Sequence, residues 1–556
     1  MSVLRTLPAL FLSLSLAACG GDTTGSSDDP SGPDGSGTDT TGGDGDGDTT
    51  GGDGDGDGGT TGGDGDGGTT GGDGDGDTTG GDGDGDTTGG DGDGDTTGGD
   101  GDGDGDGNPL LFDGVETIAM GAPGTVTLTW DPADGDSPVR YEVFAATQAG
   151  GQDFSTPSYT SDTTSITIDG LTVEKGLRHY FVVRARDANG QTDANRVEAS
   201  ALFVAKDEIE FLADLPVSGR SNIADVAVNS DLTLAAVAGW MTGDTYLFDI
   251  SNPRSPRRVF TISGIGTQND VEFLGDVLYV SHEFRDDATG IEIYDVSDVA
   301  NTTRIGSLRG GVNGVDIGAR MCHNITIHEN AALMYCSASF GDRGVHIFST
   351  GFEGLGGSPE APAYVGKVSD PNGWVHDVYG RDDRIYVAYL DGGFTMYDIT
   401  NPSAPRVLGS YEYANQFCHN AWPSKDGNYA YISDEKPQRE TDGMRVFDIS
   451  DPGNIRQVNK FERGTDSDVI HNVEVEGDFA YISYYGLGVY IVDIRDPANP
   501  VEVDSYDPLP STRRTGLNGT WGVQATKGPL VFASDRDRGL VILEWDRPDT
   551  RITGRD

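Results

Sequence analysis

Over the C-terminal two-thirds of the chain, hydrophobic and polar residues alternate with a period of two, in short runs cut by glycine and by Asp/Asn-Pro pairs. Residues 473–503, VEVEGDFAYISYYGLGVYIVDIRDPANPVEV, carry the pattern most clearly. Val473 and Val475 alternate up to a turn at Glu476-Gly477-Asp478. Phe479-Ala480-Tyr481-Ile482 and Val489-Tyr490-Ile491-Val492 flank a second turn, and Asp493-Ile494-Arg495-Asp496-Pro497 closes with a polar corner. Such runs predict an antiparallel meander. The hydrophobic strand with its acidic end recurs at Tyr246-Leu247-Phe248-Asp249, Ile293-Tyr294-Asp295, Met396-Tyr397-Asp398 and Val446-Phe447-Asp448, and in weaker form at His346-Ile347-Phe348-Ser349 and Val541-Ile542-Leu543-Glu544. About seven units of roughly 45 residues fall in the range of four-stranded propeller blades. The corner has a physical basis: its carboxylate accepts from turn amides, and proline ends the pairing.

The stretch VYIVDIRDPANPVEV resembles the LVIVD repeat of bacterial surface and secreted proteins. The resemblance implies a β-propeller over residues 206–556 and no particular chemistry. The last unit ends at Trp545-Asp546-Arg547-Pro548 without a fourth strand, and an orphan strand, Glu208-Ile209-Glu210-Phe211-Leu212, stands ahead of the first. Pairing the two closes the ring, removes an open edge and sets the number of blades at seven.

Upstream, residues 109–205 alternate through Val126-Thr127-Leu128-Thr129-Trp130, Tyr141-Glu142-Val143-Phe144 and Tyr180-Phe181-Val182-Val183. The segment resembles a fibronectin type III domain, with Trp130 at the core tryptophan and Tyr180 at the tyrosine corner. The resemblance implies an Ig-like sandwich serving as a spacer or adhesion module. The fold class expected is therefore all-β, a sandwich followed by a seven-bladed propeller.

Composition alters the picture at the N-terminus. Of a net charge of −55, 26 negative charges are aspartates in residues 20–108, which contain no Lys or Arg. This Gly/Asp/Thr tract lacks the apolar residues a core needs and reads as a disordered tether with weak Ca2+ association through charge alone. In residues 1–19, Arg5 precedes an apolar run ending in Leu16-Ala17-Ala18-Cys19. This resembles a bacterial lipobox and implies lipidation of Cys19. Membrane contact would be through that lipid alone, at the outer membrane or cell surface. The acidic balance argues against nucleic acid as a partner. A protein or glycan ligand at the propeller face, bound by a monomer, is expected.

Aligning the units places Ala224, Asn269, His323, His376, His419, His471 and Trp521 at one position at the start of each innermost strand. Asp225, Asp270, Asn324, Asp377, Asn420, Asn472 and Gly522 occupy the next. Half of the eight histidines thus share one position in four consecutive units. Three readings stay open. The imidazoles bridge blades through backbone carbonyls, or His323, His376, His419 and His471 hold a transition metal such as copper, zinc, iron or nickel, or they read a polar or anionic ligand. The first and third give a binding protein, and the second gives a metalloprotein of the oxidoreductase class. His282, His328 and His346 read as structural or surface residues. The charged residues Asp434, Glu435 and Asp535 to Arg538 read as a solvated rim. No nucleophile elbow, phosphate loop or His-Glu-x-x-His helix appears, so the sequence leans away from an enzyme. Cys322 and Cys336, placed about the turn at Glu329-Asn330, suggest a cross-strand disulfide, leaving Cys418 free.

Overall fold

A computed structural model describes residues 110–135, 138–204, 208–217, 223–240, 243–263, 266–283, 289–309, 322–338, 343–369, 374–436, 443–465 and 468–554. The expected leader, Cys19 and the tether lie outside them.

The alternating segment after residue 109 forms two facing sheets. Thr117–Met120, Val126–Thr129 and Ser165–Ile168 make one. Tyr159–Ser161, Arg140–Ala146, Arg178–Arg186 and Glu198–Leu202 make the other, in that spatial order. Val126, Leu128, Val143, Phe181 and Val183 fill the space between, and Trp130 packs on Tyr141 with ring centroids 5.2 Å apart. The expected corner tyrosine is corrected here. Tyr180 is only half-buried, whereas the neighbouring His179 is buried and its Nε2 donates to the carbonyl of Thr172 at 2.8 Å. Period-two alternation sends adjacent residues to opposite faces, and the reach back to the chain falls to the inward one.

Among the described residues there are also seven four-stranded antiparallel sheets. Their innermost strands begin the blades at Val226–Val228, Thr267–Leu274, Ile325–Ile327, Asp377–Arg381, Cys418–Pro423, Ile470–Glu476 and Thr520–Ala525. Each contacts the next, and the last contacts the first, so the sheets form a closed ring, a β-propeller. We number the blades 1 to 7 in that order. The ring closes through Glu210–Leu215, which pairs with Gly539–Glu544 of blade 7 as its outer strand. Asp504 of blade 6 fixes the start of this strand, its Oδ2 accepting from the Glu208 and Ile209 amides at 2.8 Å each.

The acidic corners behave as side-chain-capped turns. Asp249, Asp295, Asp398, Asp448 and Asp493 each accept from the backbone N–H two residues on, at 2.8–3.1 Å. Asp249 and Asp448 also pair with Arg257 and Arg456 of the outer strand, at 2.8 and 2.6 Å.

The expected propeller boundary at residue 556 is revised. Asp549–Thr553 leaves the ring and pairs antiparallel with Glu198–Leu202, adding a fifth strand to the larger sheet of the sandwich. Arg178 anchors it through an ion pair to Asp549. A disulfide joins Cys322 and Cys336, whose Cα atoms lie 5.6 Å apart. In the strand register, Cys336 faces Ile325 rather than Cys322, which lies ahead of the paired strand. Cys418 is buried as a free thiol, its pKa pushed well up by burial.

Candidate functional site at the channel mouth

The site begins with an irregularity shared by every blade. Where the innermost strand starts, two of its residues oppose one residue of the second strand, forming a β-bulge. The single opposing residue is always small: Ala238, Ser281, Ser337, Ala388, Ser433, Ser483 and Ser534. A bulge leaves an orphan amide, and a serine hydroxyl can satisfy it. The N–H groups of Asp270, Asn472 and Gly522 donate to Ser281, Ser483 and Ser534 Oγ at 2.8, 3.0 and 2.8 Å. Ser281 and Ser483 Oγ in turn donate to the carbonyls of His323 and Trp521 on the following blade, at 3.1 and 2.6 Å.

The bulge breaks the alternation, so the first residue of each pair turns to the mouth while the second reaches the next blade. His323, His376, His419 and His471 are such first residues, and all are nearly buried, at 2–6 % exposure. Their rings form a chain, with successive centroids 4.3, 4.0 and 4.4 Å apart. His323 Nε2 lies 2.8 Å from His376 Nε2. His376 Nδ1 donates to the carbonyl of His419 at 3.0 Å, and His471 Nδ1 to that of Trp521 at 2.7 Å. Two of the four thus make the inter-blade bridge expected of a structural histidine. His419 Nδ1 is buried with no hydrogen-bond partner among the described residues, and its Nε2 lies 3.5 Å from Glu435. Burial, reinforced by the neighbouring imidazoles, holds the pKa values of His376 and His419 well below the ordinary value. Burial lowers His471 to about 3. These three rings are neutral at physiological pH.

The second residues of the pairs knit the blades together. Asp270 Oδ2 accepts from the Ile325 amide at 2.7 Å, and Asn420 Nδ2 donates to the Val473 carbonyl at 2.9 Å. Asn324 and Asn472 also stand one residue beyond their histidines, with Asn324 buried. Asp225, Asp377, Glu272 and Glu474 face one another across the lumen. Desolvation raises their pKa values, to about 7 for Asp225, about 6 for Asp377 and about 8 for Glu272. Carboxylates elsewhere in the ring add to the rise for Asp225, Glu272 and Glu474. These carboxyl groups stand one residue (Asp225, Asp377) and three residues (Glu272, Glu474) past the position that the histidines occupy.

Two residues past the small residue of the second strand come Trp240, Glu435, Tyr485 and Arg536, at the same mouth. The solvated-rim expectation fails for Asp434, Glu435, Asp535 and Arg536, which are 0–4 % exposed, whereas Asp537 is exposed and Arg538 half-buried. Tyr485 Oη donates to Glu435 Oε1 at 2.7 Å. The Arg536 guanidinium sits 4.4 Å from the Trp521 ring centroid and 5.5 Å from that of Trp240. The mouth is thus two-sided, with imidazoles and a carboxylate over blades 3 to 5 and aromatic rings with an arginine over blades 6, 7 and 1. The other propeller histidines lie elsewhere and are buried. His282 sits 3.5 Å from Glu292, and His328 Nδ1 accepts from the amide of Ala331 at 3.0 Å.

The LVIVD repeat family model matches residues 373–412, 425–461 and 470–508, within blades 4, 5 and 6. No curated protein matches the chain. Similar solved structures include one described as the structure of U3-55K, at 10 % identity and TM-score 0.45, covering 61 % of this chain and 99 % of that one. Another is described as the crystal structure of RRP9 WD40 repeats, at 11 % identity and TM-score 0.45, covering 61 % of this chain and 98 % of that one.

Proposed function

We propose that this is a lipid-anchored binding protein of the bacterial cell surface, in which the propeller presents its channel mouth to a protein or glycan ligand. The observation that carries the reading is the aromatic half of the mouth. Trp240, Tyr485 and Trp521 converge with Arg536 at 0–7 % exposure, an aromatic and cationic floor on which a sugar or a polar side chain entering the mouth would rest. The Leu16-Ala17-Ala18-Cys19 sequence supports the anchor, and the Gly/Asp tract supports display at a distance. The seven strands of residues 117–202 and the buried Trp130 support a fibronectin type III-like spacer between tether and ring.

Two measurements test this reading. Cys19→Ser is expected to move the protein from the membrane fraction to the soluble fraction, and unchanged membrane association removes the anchor. On arrays of surface glycans and proteins, the lipid-free chain is expected to bind selectively and to lose at least tenfold in affinity with Trp521→Ala. Binding that is indifferent to this change places the ligand away from the mouth.

A further inference from the structure

We propose that the imidazole half of the mouth is a mononuclear transition-metal site, with His376, His419 and Glu435 as ligands. His376, His419 and Glu435 each offer a ligand atom within 4.8 Å of the others, and all three are buried. A span of that size closes around one ion with bonds near 2 Å. His323 Nε2 lies 2.8 Å from His376 Nε2 and can donate a hydrogen bond to it, which orients the His376 ring. His323 and His471, expected from the sequence as further ligands, are outside this set, and Glu435, from the strand that follows His419, joins it.

The surroundings are those of a built site. His376 donates its Nδ1–H to the His419 carbonyl, so Nε2 carries the lone pair that faces His323. Fixing one ring nitrogen by a backbone carbonyl is how a protein sets the ligating tautomer. Tyr485 plays the same part for the carboxylate by holding Glu435 Oε1, while Oε2 faces His419 Nε2 at 3.5 Å. His419 Nδ1 is buried without a partner among the described residues, a cost accepted where the ring is held for another purpose. Imidazoles with one carboxylate and no thiolate suit a first-row dication such as Zn2+, Cu2+, Ni2+ or Fe2+ rather than Ca2+ or Mg2+.

The inference deepens the reading of the mouth as the binding site. It is tested on metal alone, so that either can fail without the other. The full chain, purified without a histidine tag and stripped with chelator, is titrated with Zn2+ and Cu2+ in excess Ca2+ that occupies the aspartate tract. One tightly bound equivalent is expected, with nitrogen hyperfine structure in the Cu2+ electron paramagnetic resonance spectrum. Glu435→Gln and His376→Ala are each expected to weaken binding tenfold or more, whereas His471→Ala retains one equivalent. Circular dichroism establishes that each variant is folded, and the wild-type spectrum bears on the proposal even if a variant is not. Absence of a stoichiometric equivalent in the wild type, a Cu2+ spectrum without nitrogen ligands, or affinity unchanged in folded Glu435→Gln and His376→Ala overturns the site.

Discussion

Replacing residues 209–215 by a Gly/Ser linker of equal length is expected to cost several kcal/mol and to turn a single melting transition into early unfolding with aggregation. The replacement keeps the chain connected and removes only the closing strand. Gly539–Glu544 then becomes an open edge, and Leu540, Val541, Ile542 and Leu543, now fully buried, sit next to it. Leu212 and Leu215 pack on the core shared by blades 7 and 1, so their loss also strips apolar cover from both blades. Burial is worth about 25 cal/mol per Å2 of apolar surface, so a few such side chains account for the loss. Unpaired edges recruit other chains, which is why aggregation accompanies it. Thermal melting with size-exclusion chromatography measures the effect, and a synthetic peptide of residues 208–217 supplied in trans is expected to restore part of it. An unchanged melting temperature would mean that another segment closes the ring.

Above pH 6.5 the protein is expected to lose stability as pH rises, reaching a plateau past pH 8. Asp225 and Glu272 have folded-state pKa values raised to about 7 and about 8, first by burial and then by other carboxylates across the lumen. A carboxyl group with a raised pKa binds more protons in the folded state than in the unfolded one. Its effect is neutral below the unfolded value near 4, and stability falls as pH climbs towards the folded value. The buried histidines have the opposite sign: with pKa values below the ordinary 6.5, they favour the folded state above that pH and destabilise it as pH falls. The two effects oppose each other between pH 4 and 6.5, so the carboxylates are read cleanly only above that range. Asp225→Asn and Glu272→Gln should each raise the melting temperature at pH 8 by a few degrees, change it little at pH 5, and flatten the alkaline slope. A melting temperature independent of pH between 6.5 and 8.5 in the wild type would mean that the lumen carboxylates are already ionised and solvated.

Much of this architecture is written in the alternation itself. The third strand announces itself by an apolar run in every blade and, in five of the seven, by an aspartate whose carboxylate caps the next turn. The strand near Glu210 is legible because the last unit lacks a partner for its edge. What escaped has physical reasons. Asp549–Thr553 has one apolar residue, Ile552, and takes its conformation from a partner remote in sequence. Glu435 sits in a charged stretch after a strand, a pattern that usually means solvent, and only the bulged entrance turns that part of the blade inward. The small residue opposite each bulge was visible as the Ser or Ala of Val-Ala-Gly-Trp, Val-Ser-His-Glu, Ile-Ser-Asp-Glu and Ile-Ser-Tyr-Tyr. Hydrophobic periodicity gives it no weight, because its role is to carry a hydrogen bond. The histidines were found by alignment, but alignment says which residues share a position and nothing about the direction in which two successive side chains leave a bulge.

The fifth strand of the sandwich sheet also decides how the molecule carries a load. Leu202, the last residue before the chain runs on to the ring, pairs with Asp549, the first to return from it. A pull that separates ring and sandwich therefore acts on two attachments at the same end of one sheet, the covalent link and the returning strand. Both strands are drawn the same way along their axes, so the load passes in shear to the ladder between Glu198–Leu202 and Arg178–Arg186, whose bonds yield together rather than one after another. The returning strand gives the two parts a second connection. A ligand held at the proposed mouth site would be braced against flow by a strand of five residues.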